Sequence, residues 1–297
     1  MAAETVAGAG TAEQLGLEGM PTRLFVCTPT RLTAWLDCPR RYRFAYLDRP
    51  TPVKGPPWAH NSVGASVHSA LAGWYRLPPH QRTAARAGEL LDECWLDDGF
   101  RDEDQADRWR TRSREMVTAY AAAVDPELEP VGIERTVATR TDVLALSGRV
   151  DRLDVREIGG TEQLVVVDYK TGRHVLTSSD ASSSLALALY AVAAARVLRT
   201  PCVRVELHHL PSGEVAAHDH TPESLRRHLG RAESIALEAA AADRAYRTGV
   251  EPDEADRIFP PKVSSSCRWC DFSRHCVEGR SAYPAVPAWA ALAEPQG

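Results

Sequence analysis

The sequence predicts an α/β or α+β fold in which a sheet carries a layer of N-terminal helices. Three observations indicate this class. Helical patterns occupy the chain up to about residue 124, three short segments rich in Val and Thr follow, and then a helix, a strand and another helix complete the core. The order helices, strands, helix, strand, helix is typical of a domain whose sheet is covered by helices.

The first predicted elements follow Thr28-Pro29, because Thr28 can cap a helix and Pro29 suits its first turn. Cys38-Pro39 should interrupt this helix, and a second helical run, 40–47, alternates arginine with aromatic residues. Further helices are predicted at about 61–76, 81–97 and 105–124.

Three consecutive strands are predicted at 131–139, 143–155 and 163–170, and we expect them to form a meander. The run 164–167 is continuously apolar, which predicts a central strand buried on both faces. A helix at about 183–199, a strand at 203–209 and a helix at about 222–248 should follow.

The composition is that of an ordinary globular protein: 297 residues, of which 44% are hydrophobic and 25% charged. It excludes wholesale disorder, collagen and a small disulfide scaffold. The net charge of −5 argues neither for nor against a nucleic-acid partner, so the local distribution of charge must decide. We expect a disordered leader at 1–22, a single domain at 23–280 and a flexible tail at 281–297.

No stretch approaches the roughly 18 apolar residues that span a membrane, so no membrane partner is expected. The segment 1–20 lacks the basic and apolar regions of a signal peptide. The predicted location is therefore cytoplasmic, where thiols stay reduced. Seven cysteines in such a protein point to metal or cluster ligation rather than to disulfides.

One of only three lysines lies two residues after a carboxylate, at the end of the most apolar strand. Residues i and i+2 of a strand share a face, so Asp168 and Lys170 should project together. Asp151, on the preceding strand, can add a carboxylate, and His68, on an upstream helix, can add a nitrogen ligand. Such a set can hold Mg²⁺ or Mn²⁺, while the lysine helps to deprotonate a water that attacks phosphorus.

Each of these residues also has an ordinary structural interpretation. Asp168 and Lys170 can form a solvated surface ion pair, and His68 can be a packing residue. Asp154 is expected to be a local partner of Arg152 or Arg156 rather than a ligand.

Three cysteines form a compact ligand loop in the pattern C-x2-C-x5-C: Cys267, Cys270 and Cys276. Zinc or a cubane cluster needs a fourth ligand. Cys38 is the best candidate, because Pro39 breaks its helix there. The other cysteines lie in ordinary surroundings and are expected to be inert packing residues: Cys27, Cys94 and Cys202.

The helical run after Pro39 could contact a single nucleic-acid strand through three arginines and an interleaved ring: Arg40, Arg41, Arg43 and Tyr42. Charges of this kind suit phosphates, and rings suit bases. The alternative is an amphipathic helix that packs its aromatic side chains inward.

These motifs together resemble the RecB-family exonucleases of the PD-(D/E)XK superfamily, in the iron–sulfur branch that includes the nuclease domain of AddB. The resemblance covers roughly residues 24–280 and rests on the order of T-P-T-R-L, C-P-R-R-Y, the helix-borne His68, G-R-V-D-R-L-D, D-Y-K-T-G and the closing cysteines. One departure concerns the helix after D-Y-K, where the family usually has Gln-x-x-x-Tyr. Here Ala186 occupies the Gln position and Tyr190 the Tyr position.

The resemblance implies a restriction-endonuclease-like central mixed sheet flanked by helices, with an N-terminal helical layer and a C-terminal iron–sulfur loop. It implies a metal-dependent DNA exonuclease for single-stranded ends in DNA repair or recombination, and a helicase partner. The implied 4Fe-4S ligands are Cys38, Cys267, Cys270 and Cys276. The implied ligands of Mg²⁺ or Mn²⁺ are His68, Asp151, Asp168 and the carbonyl of Tyr169, and the implied catalytic residues also include Lys170 and Tyr190.

Two other classes of protein remain open at this stage. One is a non-catalytic DNA-binding module that carries a cluster or zinc within a larger repair complex. The other is a zinc-bound structural protein whose acidic strand residues are incidental.

Overall fold

The computed structural model describes residues 24–293, so the expected leader at 1–22 lies outside the described residues. The strands of this part are β1 (Phe25–Cys27), β2 (Gly132–Arg140), β3 (Leu144–Ile158), β4 (Thr161–Lys170), β5 (Cys202–His209) and β6 (Glu214–Asp219). Its α-helices are α1 (Pro29–Asp37), α2 (Pro39–Tyr46), α3 (Ala59–Tyr75), α4 (Ala84–Glu93), α5 (Glu103–Ala123), α6 (Ser178–Ser183), α7 (Leu185–Leu198), α8 (Pro222–Arg247), α9 (Pro252–Ile258) and α10 (Val277–Ala282).

The strands form one mixed sheet that is organised around the long strand β3. β2 and β4 both run antiparallel to β3, which confirms the predicted meander. β1 pairs parallel with the beginning of β3, β5 pairs parallel with β4, and β6 pairs antiparallel with β5. The α/β class with a central mixed sheet flanked by helices is therefore confirmed.

Strand β4 is buried on both faces, as its apolar run predicts. Leu164 and Val166 belong to one hydrophobic cluster, with residues of α1, α2, α7 and α8. Val165 and Val167 belong to the other, with residues of α3, α4 and α5. The N-terminal helices are thus divided between the two faces of the sheet rather than stacked in one layer.

The first helix begins and ends where its sequence signals place it. The side chain of Thr28 accepts a hydrogen bond from the backbone N–H of Arg31 at 3.1 Å, and Pro29 occupies the first turn. The helix ends at Asp37, because Cys38 is extended and Pro39 starts α2. The sequence patterns missed β1, β6, α6, α9 and α10, which have seven residues or fewer and are too short for a clear period.

A buried ion network lies between the sheet and helices α3 and α5. Arg152 is 2% exposed and pairs with the fully buried Asp154 at 2.9 Å. Arg156 pairs with the same carboxylate at 2.7 Å, so Asp154 has the local role expected of it. Arg152 also donates to three phenol oxygens: those of Tyr75, Tyr120 and Tyr169.

Part of the expected C-terminal tail packs on the helices. The indole N–H of Trp109 in α5 donates to the carbonyl of Leu292 at 3.1 Å, and Leu292 is buried. The backbone N–H of Ala59 in α3 donates to the carbonyl of Ala288 at 3.2 Å. The tail is therefore anchored as far as the structure describes it, because its apolar residues find a place on this face.

Within the described residues, none of the helices has the length and apolar character needed to cross a bilayer.

Replacing Arg152 with Met should destabilise the fold strongly, because it leaves the fully buried Asp154 carboxylate with fewer partners. We expect a loss of about 3–5 kcal/mol in the free energy of unfolding, measured by urea denaturation. Arg226→Met is the matched control, because that arginine pairs with Glu223 on the exposed surface and should contribute at most about 1 kcal/mol. Equal losses in the two variants would contradict this assignment.

Candidate active site and cysteine cavity

Strands β3 and β4 separate at the end of their ladder, and the candidate active site lies in this fork. Arg152 and Val167 are their last paired residues. Beyond them the backbone N–H of Tyr169 is accepted by Oδ2 of Asp151 at 3.0 Å. A side chain thus takes the place of a strand partner, which satisfies a donor that would otherwise lose its hydrogen bond.

Helix α3 places His68 at the mouth of the fork. Its Nδ1 lies 3.4 Å from Oδ1 of Asp151, and its Nε2 lies 3.2 Å from the carbonyl oxygen of Tyr169. The structure therefore brings three of the predicted metal-site residues together: His68, Asp151 and the Tyr169 backbone. Burial lowers the pKa of His68, but the contact with Asp151 and the charge of Asp168 outweigh it, so the pKa lies above its ordinary value.

Asp168 and Lys170 share a face of β4, and their charged groups lie 2.6 Å apart. Burial raises the pKa of Asp168 and the charge of Asp151 adds to this, although Lys170 opposes both. Two carboxylates near each other and partly removed from water favour a bound cation or a retained proton. This arrangement differs from an ordinary surface ion pair, because the Asp168 side chain is only 21% exposed.

Glu134 of β2 belongs to none of the sequence motifs, and it lies across from Asp151 between two paired positions of the β2–β3 ladder. One ligand atom each from His68, Glu134 and Asp151 lie within 4.8 Å of one another. Burial raises the pKa of Glu134 and the charge of Asp151 adds to this, while Arg149 opposes them. A carboxylate in a strand segment was the only signal in the sequence, and its approach to the site depends on backbone geometry that the pattern does not contain.

Tyr190 of α7 lies against the strand that carries Asp151. An added Cβ at Gly148 would stand 2.5 Å from Cε1 of Tyr190, so only glycine leaves room for this ring. Burial raises the pKa of Tyr190, and the charges of Asp168 and Asp151 add to this. Ala186 lies one helical turn earlier on α7 and is partly buried. Gly148, the first residue of the G-R-V-D segment, thus makes room for the Tyr190 ring beside the fork.

A second candidate site is a cavity of about 350 Å³ between α2 and the C-terminal loop. Four thiols line it, and they are the four predicted ligands: Cys38, Cys267, Cys270 and Cys276. Backbone N–H groups of Lys262, Ser264 and Gly279 each lie within 3.4–3.5 Å of one of the sulfurs. An added Cβ at Gly279 would lie 3.3 Å from two sulfurs.

The remaining cysteines lie elsewhere. Cys27 and Cys202 are buried, and burial raises the pKa of Cys27 to about 11 and that of Cys202 to about 12. The Cys94 thiol donates to the carbonyl of Ser66 at 3.3 Å. All seven cysteines of the described chain are free thiols.

The helix expected to contact a nucleic-acid strand, α2, buries three of its eight residues: Arg40, Tyr42 and Phe44. Tyr42 is fully buried and donates to Asp243 at 3.0 Å, so its ring cannot stack on a base. Arg40 is 6% exposed and makes two 2.8 Å contacts with Glu278. The expectation is therefore wrong for these two residues, and the alternative of an inward-packed amphipathic helix describes them.

The other two arginines of this helix, Arg41 and Arg43, differ in how far their side chains are exposed. Arg43 pairs with Asp256 at 2.9 Å and lies 3.4 Å from Asp48. The Arg41 side chain is 42% exposed and lies 3.9 Å from Asp37, at the rim of the cysteine cavity. Of the four residues predicted to bind nucleic acid, Arg41 is the most accessible.

The sequence pattern of the PD-(D/E)XK nuclease superfamily matches residues 26–277, so the chain belongs to this superfamily. A search of curated proteins finds no match.

Two solved structures are similar to this chain. One is SSO0001, with 10% identity, coverage of 87% of this chain and 88% of that chain, and a TM-score of 0.39. The other is a protein from Eubacterium rectale named as an exonuclease. It has 12% identity, coverage of 73% of this chain and 91% of that chain, and a TM-score of 0.31. At such identities and TM-scores neither likeness bears on the function of this chain.

Gly148→Ala should lower the melting temperature, because the new methyl group would displace the ring of Tyr190. The loss should be about 1–3 kcal/mol in the wild-type background, as for other overpacked sites. It should be smaller in a Tyr190→Ala background, where Pro29 Cδ, 3.2 Å from the new methyl group, is the close neighbour that remains. Thermal unfolding of the four proteins measures this coupling. A loss of the same size in both backgrounds would show that Tyr190 does not determine the need for glycine.

Proposed function

We propose that this chain is a metal-dependent DNA exonuclease that digests single-stranded ends in DNA repair or recombination, and that it carries a structural 4Fe-4S cluster. Membership in a nuclease superfamily supports the reaction class. The single observation that carries the proposal is the fork between β3 and β4, where Asp151 lies beside His68 and Asp168 pairs with Lys170.

The donor set of the fork fits a hard divalent cation, Mg²⁺ or Mn²⁺. Asp151 and Asp168 supply carboxylate oxygens, Tyr169 supplies a backbone carbonyl and His68 supplies a nitrogen. The Glu134 carboxylate also lies within reach of His68 and Asp151, but it pairs with Arg149 at 2.7 Å and is left out of this donor set. When bound, the cation would polarise a phosphoryl oxygen and lower the pKa of a water molecule.

We assign the preparation of the attacking water to Lys170. Its ammonium lies 2.6 Å from Asp168 and its side chain is 45% exposed, so it can reach both the fork and a molecule bound from solvent. There it can orient the attacking water and stabilise negative charge that develops on the phosphate. Tyr190 borders the same region and can hold the substrate strand. The amide of the Gln-x-x-x-Tyr pattern, which the RecB-like family usually has, is absent at Ala186.

The cysteine cavity fits a 4Fe-4S cluster in its donor set and surroundings. Four thiolates are the usual ligands of such a cluster, and hydrogen bonds to the sulfurs tune it. Three backbone N–H groups supply such bonds, and Gly279 leaves the cavity free of a side chain. Basic residues around the cavity offset the negative charge of thiolates: Arg40, Arg41, Lys262 and Arg280. We assign the cluster a structural role, because the carboxylates and Lys170 lie elsewhere.

The proposed substrate is DNA with single-stranded ends, and a helicase that exposes such ends is the proposed partner. A reduced, cytoplasmic setting is part of the proposal, since the described cysteines are all free thiols. Zinc in the cysteine cavity and a non-catalytic DNA-binding module are the competing assignments.

The deciding experiment is digestion of single-stranded DNA by protein purified without air. Oligonucleotides labelled at the 5′ or the 3′ end are incubated with Mg²⁺, with Mn²⁺ and with a chelator. We expect release of labelled fragments only when a divalent cation is present. Binding of the oligonucleotide without any cleavage would favour the non-catalytic module.

Asp151→Asn, Asp168→Asn and Lys170→Gln should each abolish cleavage, because the three groups act on the same phosphate. Double variants should lose little more than single ones, since such units are strongly non-additive. Mn²⁺ binding, measured by calorimetry, should weaken in the two aspartate variants and stay nearly intact in Lys170→Gln. Cleavage at the wild-type rate by Lys170→Gln would remove this lysine from the mechanism.

Cys38→Ser should lower the iron content and the melting temperature, because Cys38 lies about 229 residues before Cys267 and the cluster would join these segments. Closing so long a loop removes roughly 5 kcal/mol of unfolded-state entropy as an upper estimate. Cys94→Ser is the matched control, since that thiol lies outside the cavity. Iron and sulfide analysis decides the outcome, and stoichiometric zinc without sulfide in the wild type would replace the cluster by a zinc site.

A further inference from the structure

A pocket of about 440 Å³ opens directly beside His68. Small residues of α3 form its floor: Gly64, Ala65, Ser69 and Ala72. Its remaining walls carry charge, with Arg76 at the end of α3, and Glu134 and Arg149 on neighbouring strands. The candidate active site thus continues into a space that contains two guanidinium groups.

Arg149 is directed toward the candidate active site by strand geometry. It lies two residues before Asp151 on β3, and residues at this spacing share a face of a strand. Its side chain is 70% exposed, and the carboxylate of Glu134 lies 2.7 Å from its Nε. The contact with Glu134 is made by Nε, and a guanidinium whose side chain is this exposed suits the oxygens of a phosphate.

Glu134 reaches Arg149 at a conformational cost. Its φ of 48° lies in the left-handed region, which residues other than glycine rarely adopt. Glu134 also has no partner in the otherwise regular β2–β3 register. The Glu134 side chain is only 17% exposed. The Glu134 carboxylate is therefore held by its largely buried side chain, and its contact with Nε fixes the direction of the exposed Arg149 side chain.

Electrostatics favours an anion as the occupant of this pocket. The protein has a net charge of −5, and the fork contains two carboxylates that repel a polyanion. A nucleic-acid strand that enters the fork therefore needs local positive charge beyond that of the cation. Arg76 and Arg149 provide it on the two sides of the pocket.

Building on the proposed function, we propose that this pocket binds the backbone phosphate next to the one that is cleaved. Arg149 and Arg76 contact this phosphate, and Glu134 is the positioning residue that holds Arg149. Neither arginine touches the reacting atoms. Their effect should therefore fall on the affinity for the strand, and the effect of Glu134 should depend on the presence of Arg149.

The test compares Arg149→Gln, Glu134→Gln and the double variant with the wild type on a fluorescein-labelled single strand. Arg226→Gln is the matched control, because that arginine is 72% exposed and pairs with Glu223 far from the fork in sequence. Arg149→Gln should raise KM about tenfold, the size of a lost charge-assisted hydrogen bond. The slope of log KM against log salt concentration should change by roughly 0.7, and the control should change neither quantity.

Glu134→Gln should raise KM by less than Arg149→Gln does and leave kcat nearly unchanged, because the guanidinium keeps its charge but loses the carboxylate that fixes its direction. In the Arg149→Gln background the same change should have no further effect. The Mn²⁺ concentration that gives half-maximal rate should stay unchanged. An equal loss in both backgrounds together with a raised Mn²⁺ requirement would overturn the positioning role and make Glu134 a cation ligand.

Binding of the same oligonucleotide without divalent cation, followed by fluorescence anisotropy, separates this inference from the proposed function. Weaker binding by Arg149→Gln and by Arg76→Gln supports the pocket even if the wild type cleaves no DNA. Unchanged binding and unchanged KM in a wild-type protein that does cleave DNA would overturn the pocket and leave the nuclease assignment intact. Arg149→Lys retains the charge, and it should keep the salt slope while losing part of the affinity.

Discussion

The separation of β3 from β4 is the constraint on which the candidate active site depends. A strand that leaves its partner exposes backbone donors and acceptors, and these must find new partners where water is scarce. At Tyr169 the new partners are side chains: Asp151 accepts from its N–H, and His68 lies at its carbonyl. The groups that satisfy the opened backbone are therefore the same groups that can hold a cation. The separation of the strands thus accounts for both features of the fork. It brings the Asp151 carboxylate and the His68 imidazole to the same residue, Tyr169, and thereby places them close to each other.

The buried network of Arg152 stabilises the fork through the side chain of Tyr169. The side chain of Tyr169 enters this network, with its hydroxyl 3.1 Å from Arg152, while its backbone faces Asp151 and His68. A shift of Tyr169 would thus disturb both sides of the strand. Since buried charges are costly unless they are fully paired, the network specifies one arrangement of β3 and β4 more strongly than apolar packing alone would. The buried network thus supplies the rigid support that a functional site at the fork would require.

Local patterns in the sequence predicted the parts of the structure that depend on neighbours along the chain. The meander, the doubly buried β4 and the break at Cys38 all follow from spacing and from proline. The failures concern partners that are distant in sequence: Tyr42 bonds to Asp243, 201 residues away, and Arg40 to Glu278, 238 residues away. An arginine-rich aromatic helix has the same pattern whether its charges meet phosphate or buried carboxylates. Glu134 was missed for a related reason, because its left-handed backbone is set by the sheet rather than by its neighbours.

Helix α1 provides a physical link between the cysteine cavity and the fork. Its C-terminal end carries Cys38, and Lys262 fastens this end by donating to the carbonyl of Leu36 at 2.8 Å. Its first residue, Pro29, lies where a Cβ on Gly148 would be 3.2 Å from it, next to the ring of Tyr190. The nine residues of the helix span about 13 Å. A rigid rod of this length transmits a displacement of one end to the other, so loss of order at the cavity would reach the glycine that precedes Arg149 and Asp151. The cluster proposed for the cavity would in this way influence the candidate active site without taking part in its chemistry.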